Sequence, residues 1–190
     1  MDLRHNRSFP LDSSETHDPK VPNGLTPRRR VPTFKGLAPS SPAASIAKKA
    51  NRANNTQPEL NLRRELWRRG CRYRLGVPGL IGKPDLVFPT QRVVVFCDGD
   101  FWHGRGWRRL RKQLVRRNNA SYWIDKIKYN RRRDMEVNRL LANAGWTVIR
   151  VWETELKLNL PEAASRIIKA VAAAKTHGNE NKVNCTANKP

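Results

Sequence analysis

Hydrophobic patterning over the 190 residues predicts an α/β domain, a mixed central sheet flanked by helices, in the order α-β-β-β-α-β-α. Three stretches carry that expectation. Two short apolar runs, Leu86 to Phe88 and Val93 to Phe96, are joined by Pro89-Thr90-Gln91, the pattern of two strands and a tight turn. From Ala120 to Ala144 apolar residues (Trp123, Ile127, Val137, Leu140, Leu141 and Ala144) recur at helical spacing until Gly145 stops them. Trp146 to Trp152 then alternates with the period of a strand.

The remaining elements follow in chain order. Residues 1 to 45 are rich in Pro, Ser, Thr and Arg and show no apolar periodicity, so a disordered basic extension is expected there. Arg28-Arg29-Arg30 suits either phosphate contact or a solvated linker. The folded domain is expected from 46 to 175, opening with a basic, weakly helical stretch that holds Lys48, Lys49 and Arg52. Thr56-Gln57-Pro58-Glu59 starts a helix: Thr56 fits the N-cap, proline is tolerated in the first turn, and Glu59 stands at the capping-box position. Leu62 and Leu66 share one face of it, and Gly70 ends it. Arg72 to Leu75 alternates like a strand, and Val77 to Gly82 reads as a loop. Gly104 to Asn119, dense in arginine, reads as a phosphate-contacting loop. Pro161 to Lys175 makes a last helix with Ile167, Ile168 and Val171 inward, and 176 to 190 is a polar tail expected to be disordered.

Composition narrows the function. Lys and Arg number 38 against 16 Asp and Glu, a formal charge of +22. Residues 56 to 175 alone carry 26 basic and 11 acidic side chains, so the excess belongs to the folded part as well as the tails. Such a domain binds nucleic acid by neutralising phosphates and releasing counterions. A basic membrane-surface protein is the competing class, but no helix pairs a strongly apolar face with a basic one. No apolar run is long enough to span a bilayer and no charged-then-apolar leader opens the sequence, so a cytoplasmic, nucleoid-associated protein is expected. Cys71, Cys97 and Cys185 share no metal-binding spacing and read as free thiols.

Chemistry concentrates between Lys83 and His103. Asp85 opens one strand of the hairpin and Asp98 closes the other, so Asp85, Asp98 and the Cys97 carbonyl are placed to converge on one divalent cation. His103, five residues on, takes or gives a proton near neutral pH. Together they suit metal-assisted phosphodiester hydrolysis. The same residues also suit ordinary strand-edge and turn roles, and Phe101 and Trp102 suit a core plug.

The order Lys-Pro-Asp (83–85), a Val-rich strand, Asp-Gly-Asp-Phe-Trp-His-Gly (98–104), Tyr-Trp-x-x-Lys-Ile-x-x-Asn (122–130) and Gly-Trp-x-Val-x-Arg-Val-Trp-Glu (145–153) resembles the very short patch repair (Vsr) endonucleases. These belong to the restriction-endonuclease-like, PD-(D/E)xK, superfamily, and the resemblance covers roughly residues 46 to 157. It implies a restriction-endonuclease-like core and a Mg²⁺-dependent enzyme that nicks one strand of double-stranded DNA at a T:G mismatch. It also implies one or two Mg²⁺ ions held by Asp85, the Cys97 carbonyl and Asp98, with His103 as general acid or base and Glu59 facing the site. Asp134 matches an acidic residue near the site, although an ion pair with a basic neighbour explains it equally. Phe101, Trp102 and Trp123 match aromatics that wedge between base pairs beside the mismatch. Arg105, Arg108 and Arg109, with Lys48, Lys49 and Arg52, are expected on DNA.

Two departures stand out. Cys97-Asp98 replaces Thr-His, so one family histidine is here a carboxylate. The positions that hold structural zinc in better-known members match Asp100, Arg105, Trp107 and Thr154, so no structural zinc is expected. A monomer, mismatch-repair proteins as partners and no membrane complete the expectation. The alternatives are a restriction or defence nuclease without mismatch preference and a catalytically impaired DNA-binding protein.

Overall fold

The computed structural model describes residues 31–37 and 55–184, with side chains described to residue 174. A three-stranded mixed sheet lies at its centre: β1 (Leu86–Phe88) runs antiparallel to β2 (Val93–Asp98), and β2 runs parallel to β3 (Thr147–Trp152). Around it stand α1 (Gln57–Arg68), α2 (Trp107–Leu114), α3 (Ala120–Asn143), α4 (Glu153–Leu158) and α5 (Leu160–Asn184).

The unbroken apolar run of β2 follows from its position. It is the central strand and is covered on both faces, so successive residues all lose their water contact. Val93 and Val95 join Leu86, Phe88 and Val151 in a core closed by Leu62 and Leu66 of α1, Leu156 of α4, and Ala163, Ala164 and Ile167 of α5. Val94 and Phe96 point the other way, with Val87, onto Val137 and Leu141 of α3. The alternation of a strand thereby builds two cores from one sequence.

Glycine ends α1 and α3, two of the helices that flank the sheet. At α1 the amides of Gly70 and Cys71 reach back to the carbonyls of Trp67 and Leu66, and at α3 those of Gly145 and Trp146 reach Ala142 and Leu141. Gly70 and Gly145 take φ of 80° and 78°, the left-handed cap that side chains disfavour. The Gly145 cap turns the chain straight into β3.

Several sequence expectations need correction. The strand expected at Arg72 to Leu75 is reduced to a single bridge between Arg74 and Val87. Of its side chains, Tyr73 packs inward, its ring 6.2 Å from that of Phe88, while Arg72, Arg74 and Leu75 face solvent. The positive-φ residues Gly76 and Gly79 follow at once, so the ladder cannot extend. The arginine-rich stretch expected to be a loop contains α2. Like charges do not forbid a helix whose charged faces are all solvated: Arg108, Arg109, Arg111 and Lys112 are exposed while Leu114 is fully buried. The last helix runs beyond Lys175 to Asn184, and α4 precedes it. The helical order is therefore α-β-β-α-α-β-α-α among the described residues. Lys48, Lys49, Arg52 and most of the N-terminal extension lie outside them.

Candidate active site

The hairpin brings the entry of β1 beside the exit of β2, as the sequence suggested. The Asp85 amide donates to the Val95 carbonyl at 2.9 Å, and the Asp85 carboxylate accepts from the Cys97 amide at 2.7 Å. Burial pushes the Asp85 carboxyl up to about 6 from its ordinary 3.8; the Cys97 amide opposes this, and the charges of Glu59 and Asp98 add to it. Burial also pushes the Cys97 thiol well up, so the residue offers a cation its carbonyl and not a thiolate.

Glu59 sits in the first turn of α1 and is 3 % exposed. Its carboxylate accepts from the Thr56 amide and from Arg63, whose guanidinium pairs with it one turn on. Thr56 and Pro58 line the cleft, whereas Glu59 is buried and is not among its lining residues. The capping role read from the sequence is thus seen directly, and Glu59 reaches the site through its charge on Asp85.

Asp98, at the end of β2, is 3 % exposed, and both of its oxygens accept from Arg150 Nη1, at 2.7 and 2.8 Å. One of them also lies 3.4 Å from His103 Nδ1. That nitrogen makes its short contact, 2.7 Å, with Asp134 of α3. Burial pushes the Asp134 carboxyl up, but the His103 hydrogen bond and the charges of His103, Arg150 and Arg133 outweigh it and hold the group below its ordinary value. Asp134 is therefore ionised at neutral pH, and Nδ1 carries the proton that it binds.

The loop between β2 and α2 is pinned to α3. Asn130 donates to the Trp102 carbonyl at 2.8 Å, and Arg131 to the Gly104 carbonyl at 3.0 Å. Gly104 has φ of 68°, and a β-carbon there would stand 2.8 Å from Ile127 Cγ2. Only glycine lets the loop lie this close to the helix. Ile127, Asn130, Arg131 and Asp134 fall on one face, so one stripe of α3 sets the height and direction of His103.

Where zinc would bind in the resembling enzymes, Asp100 accepts from the Thr154 hydroxyl and lies 3.5 Å from Arg105, and the Arg131 guanidinium stands 5.8 Å from the Trp107 ring. This donor set does not fit zinc: Asp100 is already engaged by Thr154 and Arg105, and among the described residues no three His, Cys, Asp or Glu side chains group as a zinc site requires.

Above the cleft floor the aromatic side chains cluster. Ring centres of Phe101, Trp102 and Trp123 are 5.3 to 5.9 Å apart, and Tyr122 and Phe34 extend the group at 4.9 and 5.1 Å. The three predicted wedge residues meet. Phe34 was missed by the sequence reading, and Tyr122 and Arg150 stood in its motifs without an assigned role; a charged residue inside an apolar strand was the signal for the last. On the neighbouring surface Arg108, Arg109, Lys112 and Arg116 surround a shallow basic depression. Arg105 is exposed nearby.

Acidic residues and an imidazole share the floor of an open cleft of about 720 Å³ whose rim carries Lys126 and Arg133. A floor of that kind under a cationic rim suits hydrolysis of a phosphodiester. Relatives specify the kind. Residues 41–109 match the family described as DNA mismatch endonuclease Vsr. The type II nicking enzyme V.NmeDIP of Neisseria meningitidis serogroup C is 39% identical over 122 residues, 64% of this chain and 81% of that protein. The type II nicking enzyme V.HpaIIP of Haemophilus parainfluenzae is 37% identical over 124 residues, 65% and 86%. The DNA mismatch endonuclease Vsr of Escherichia coli (strain K12) is 31% identical over 122 residues, 60% and 76%. This chain belongs to the Vsr family and is a DNA endonuclease.

Proposed function

We propose that the protein nicks one strand of double-stranded DNA at a T:G mismatch by Mg²⁺-assisted hydrolysis, on a restriction-endonuclease-like core. The observation that carries this reading is the placement of His103, with Asp134 at its Nδ1, in the same cleft as Asp85 and directly beside the Phe101, Trp102 and Trp123 cluster. The names of the relatives support a single-strand cut: several are nicking enzymes and one is a mismatch endonuclease.

Asp85 and the Cys97 carbonyl would hold the cation. The raised Asp85 carboxyl supports that fit, because a buried carboxylate facing other negative charges gains most from a cation beside it. Among the described residues no three His, Cys, Asp or Glu side chains form a metal cage, so water and phosphate oxygens would complete the shell, as Mg²⁺ prefers. Arg150 donates to both oxygens of Asp98, which favours assigning the Asp98 charge to His103 over direct ligation of the cation. Bound there, Mg²⁺ supplies Lewis-acid polarisation of the phosphate.

The chain's own groups do the rest. Asp134 keeps the His103 proton on Nδ1, so Nε2 presents a lone pair that accepts a proton from the attacking water or returns one to the leaving oxygen. Lys126 and Arg133 hold phosphates at the rim, and Arg105, Arg108 and Arg109 extend the contact along the backbone. The aromatic cluster wedges into the duplex, where unstacking costs least at a mispair.

Matched duplexes differing by one T:G or T:A pair, with Mg²⁺ or chelator, test the reading. Nicking of one strand of the T:G duplex, dependent on Mg²⁺ and lost in Asp85→Asn, is expected. Equal cutting of both duplexes would replace it with a restriction-type nuclease, and binding without cleavage would leave a DNA-binding protein.

A further inference from the structure

Arg150 stands in the middle of β3, opposite Phe96 in the register, with its guanidinium 4.6 Å from the centre of that ring. Its side chain is 17% exposed and its nitrogens are shared among three partners. Nη1 donates to both oxygens of Asp98, Nη2 lies 3.4 Å from Asp134 Oδ1, and Nε donates to Asn138 at 3.0 Å. The two carboxylates come from different elements, β2 and α3, and both turn toward His103 Nδ1, at 3.4 and 2.7 Å.

Two buried carboxylates converging on one imidazole repel each other, and either would swing away if nothing held both. A planar guanidinium with diverging N–H groups satisfies two carboxylates at once and fixes their relative geometry, which the point charge of an ammonium does not. Asn138 on Nε and the Phe96 ring on the flat face hold the guanidinium in turn.

We propose that Arg150 is a positioning residue for His103: it clamps Asp98 and Asp134 side by side against Nδ1, fixing the imidazole in the tautomer that leaves Nε2 for proton transfer in the cleft. Arg150 lines the cleft, but its guanidinium is taken up by Asp98, Asp134 and Asn138. Asp98 thereby acquires a function of its own, as half of a carboxylate pair that Arg150 makes tolerable. The inference rests on the endonuclease activity and not on mismatch preference.

Single-turnover nicking of whichever duplex the wild type cuts is compared with DNA affinity for Arg150→Met and Arg150→Lys, with thermal unfolding as a check on folding. The imidazole ¹⁵N shifts of His103, assigned with His103→Gln, are read in the same metal-free proteins. A nicking rate reduced at least tenfold, with Kd for DNA within about twofold of wild type and the His103 shifts moved toward a mixture of tautomers, is expected. Lysine should recover part of the rate at most, since it keeps the charge without the fork. Wild-type rates in Arg150→Met, a loss that tracks Kd, or unchanged His103 shifts would each overturn the proposal. If Arg150→Met fails to fold, Arg150→Lys is judged by the same readings. Failure of the wild type to cut any duplex would remove the nuclease reading but leave the ¹⁵N comparison to decide the clamp.

Discussion

Replacing Asp85 by asparagine should disable the enzyme and stabilise it. The side chain accepts the Cys97 amide at 2.7 Å, and asparagine can accept the same bond with its carbonyl oxygen. What asparagine removes is the charge. In the fold the Asp85 carboxyl rests at about 6 against an ordinary 3.8, so protonation is favoured by folding. The stability that the protonated group contributes is fully present below pH 3.8 and is lost as pH rises through about 6. At pH 8 the ionised group costs up to about 3 kcal/mol. Asp85→Asn escapes that cost. In chelator the variant should match wild type near pH 4 and exceed it at pH 8 by up to about 3 kcal/mol, or as much as ~10 °C in Tm for a chain of this size. Denaturant unfolding at the two pH values measures the difference. Added Mg²⁺ should then raise wild-type stability, by about 2.7 kcal/mol at a hundredfold excess over Kd, and leave the variant unmoved. A variant no more stable than wild type at pH 8, or a gap that ignores pH, would refute the picture of a carboxylate buried for want of a cation.

Other outcomes follow from the same geometry. Gly104→Ala should lose roughly 1–3 kcal/mol of stability in denaturant unfolding, because the methyl meets Ile127 at 2.8 Å from a positive-φ backbone, and should slow nicking through the adjacent His103. Asp134→Asn should lower the single-turnover rate by about 10²-fold with DNA affinity little changed, since His103 loses the partner that holds its Nδ1 proton. Combined Arg108→Ala, Arg109→Ala and Lys112→Ala should reduce the slope of log Kd against log salt by about 2–3 in an anisotropy titration, each lost phosphate contact contributing ~0.9. Trp123→Ala should weaken binding to a T:G duplex more than to its T:A counterpart, measured by the same titration, with equal losses refuting the wedge.

Contacts made by neighbours in sequence or by a hairpin were legible in the residues alone. Asp85 beside Cys97 needed only two strands and a short turn, and the Glu59 contact with Thr56 needed only a helix start. The pairing of Asp98 with Arg150 was not legible, because it spans 52 residues and depends on β3 lying parallel to β2 in one particular register. A shift of one residue would turn Arg150 to the opposite core. The helix inside the arginine-rich stretch was hidden for another reason: charge density signals solvent exposure, and exposure is compatible with a helix as well as a loop. The joining of Tyr122 and Phe34 to the wedge residues was not legible because aromatic clustering is decided by tertiary approach, and Phe34 comes from a segment with no periodicity of its own.

Helix α3 carries Trp123 near one end, then Asn130 and Arg131 on the His103 loop, then Asp134 on the imidazole itself. Eleven residues separate Trp123 from Asp134, a stiff rod of about 16 Å. Trp123 of the aromatic cluster and the Asp134 partner of His103 therefore ride on one helix, so a substitution that shifts α3 as a body displaces both together.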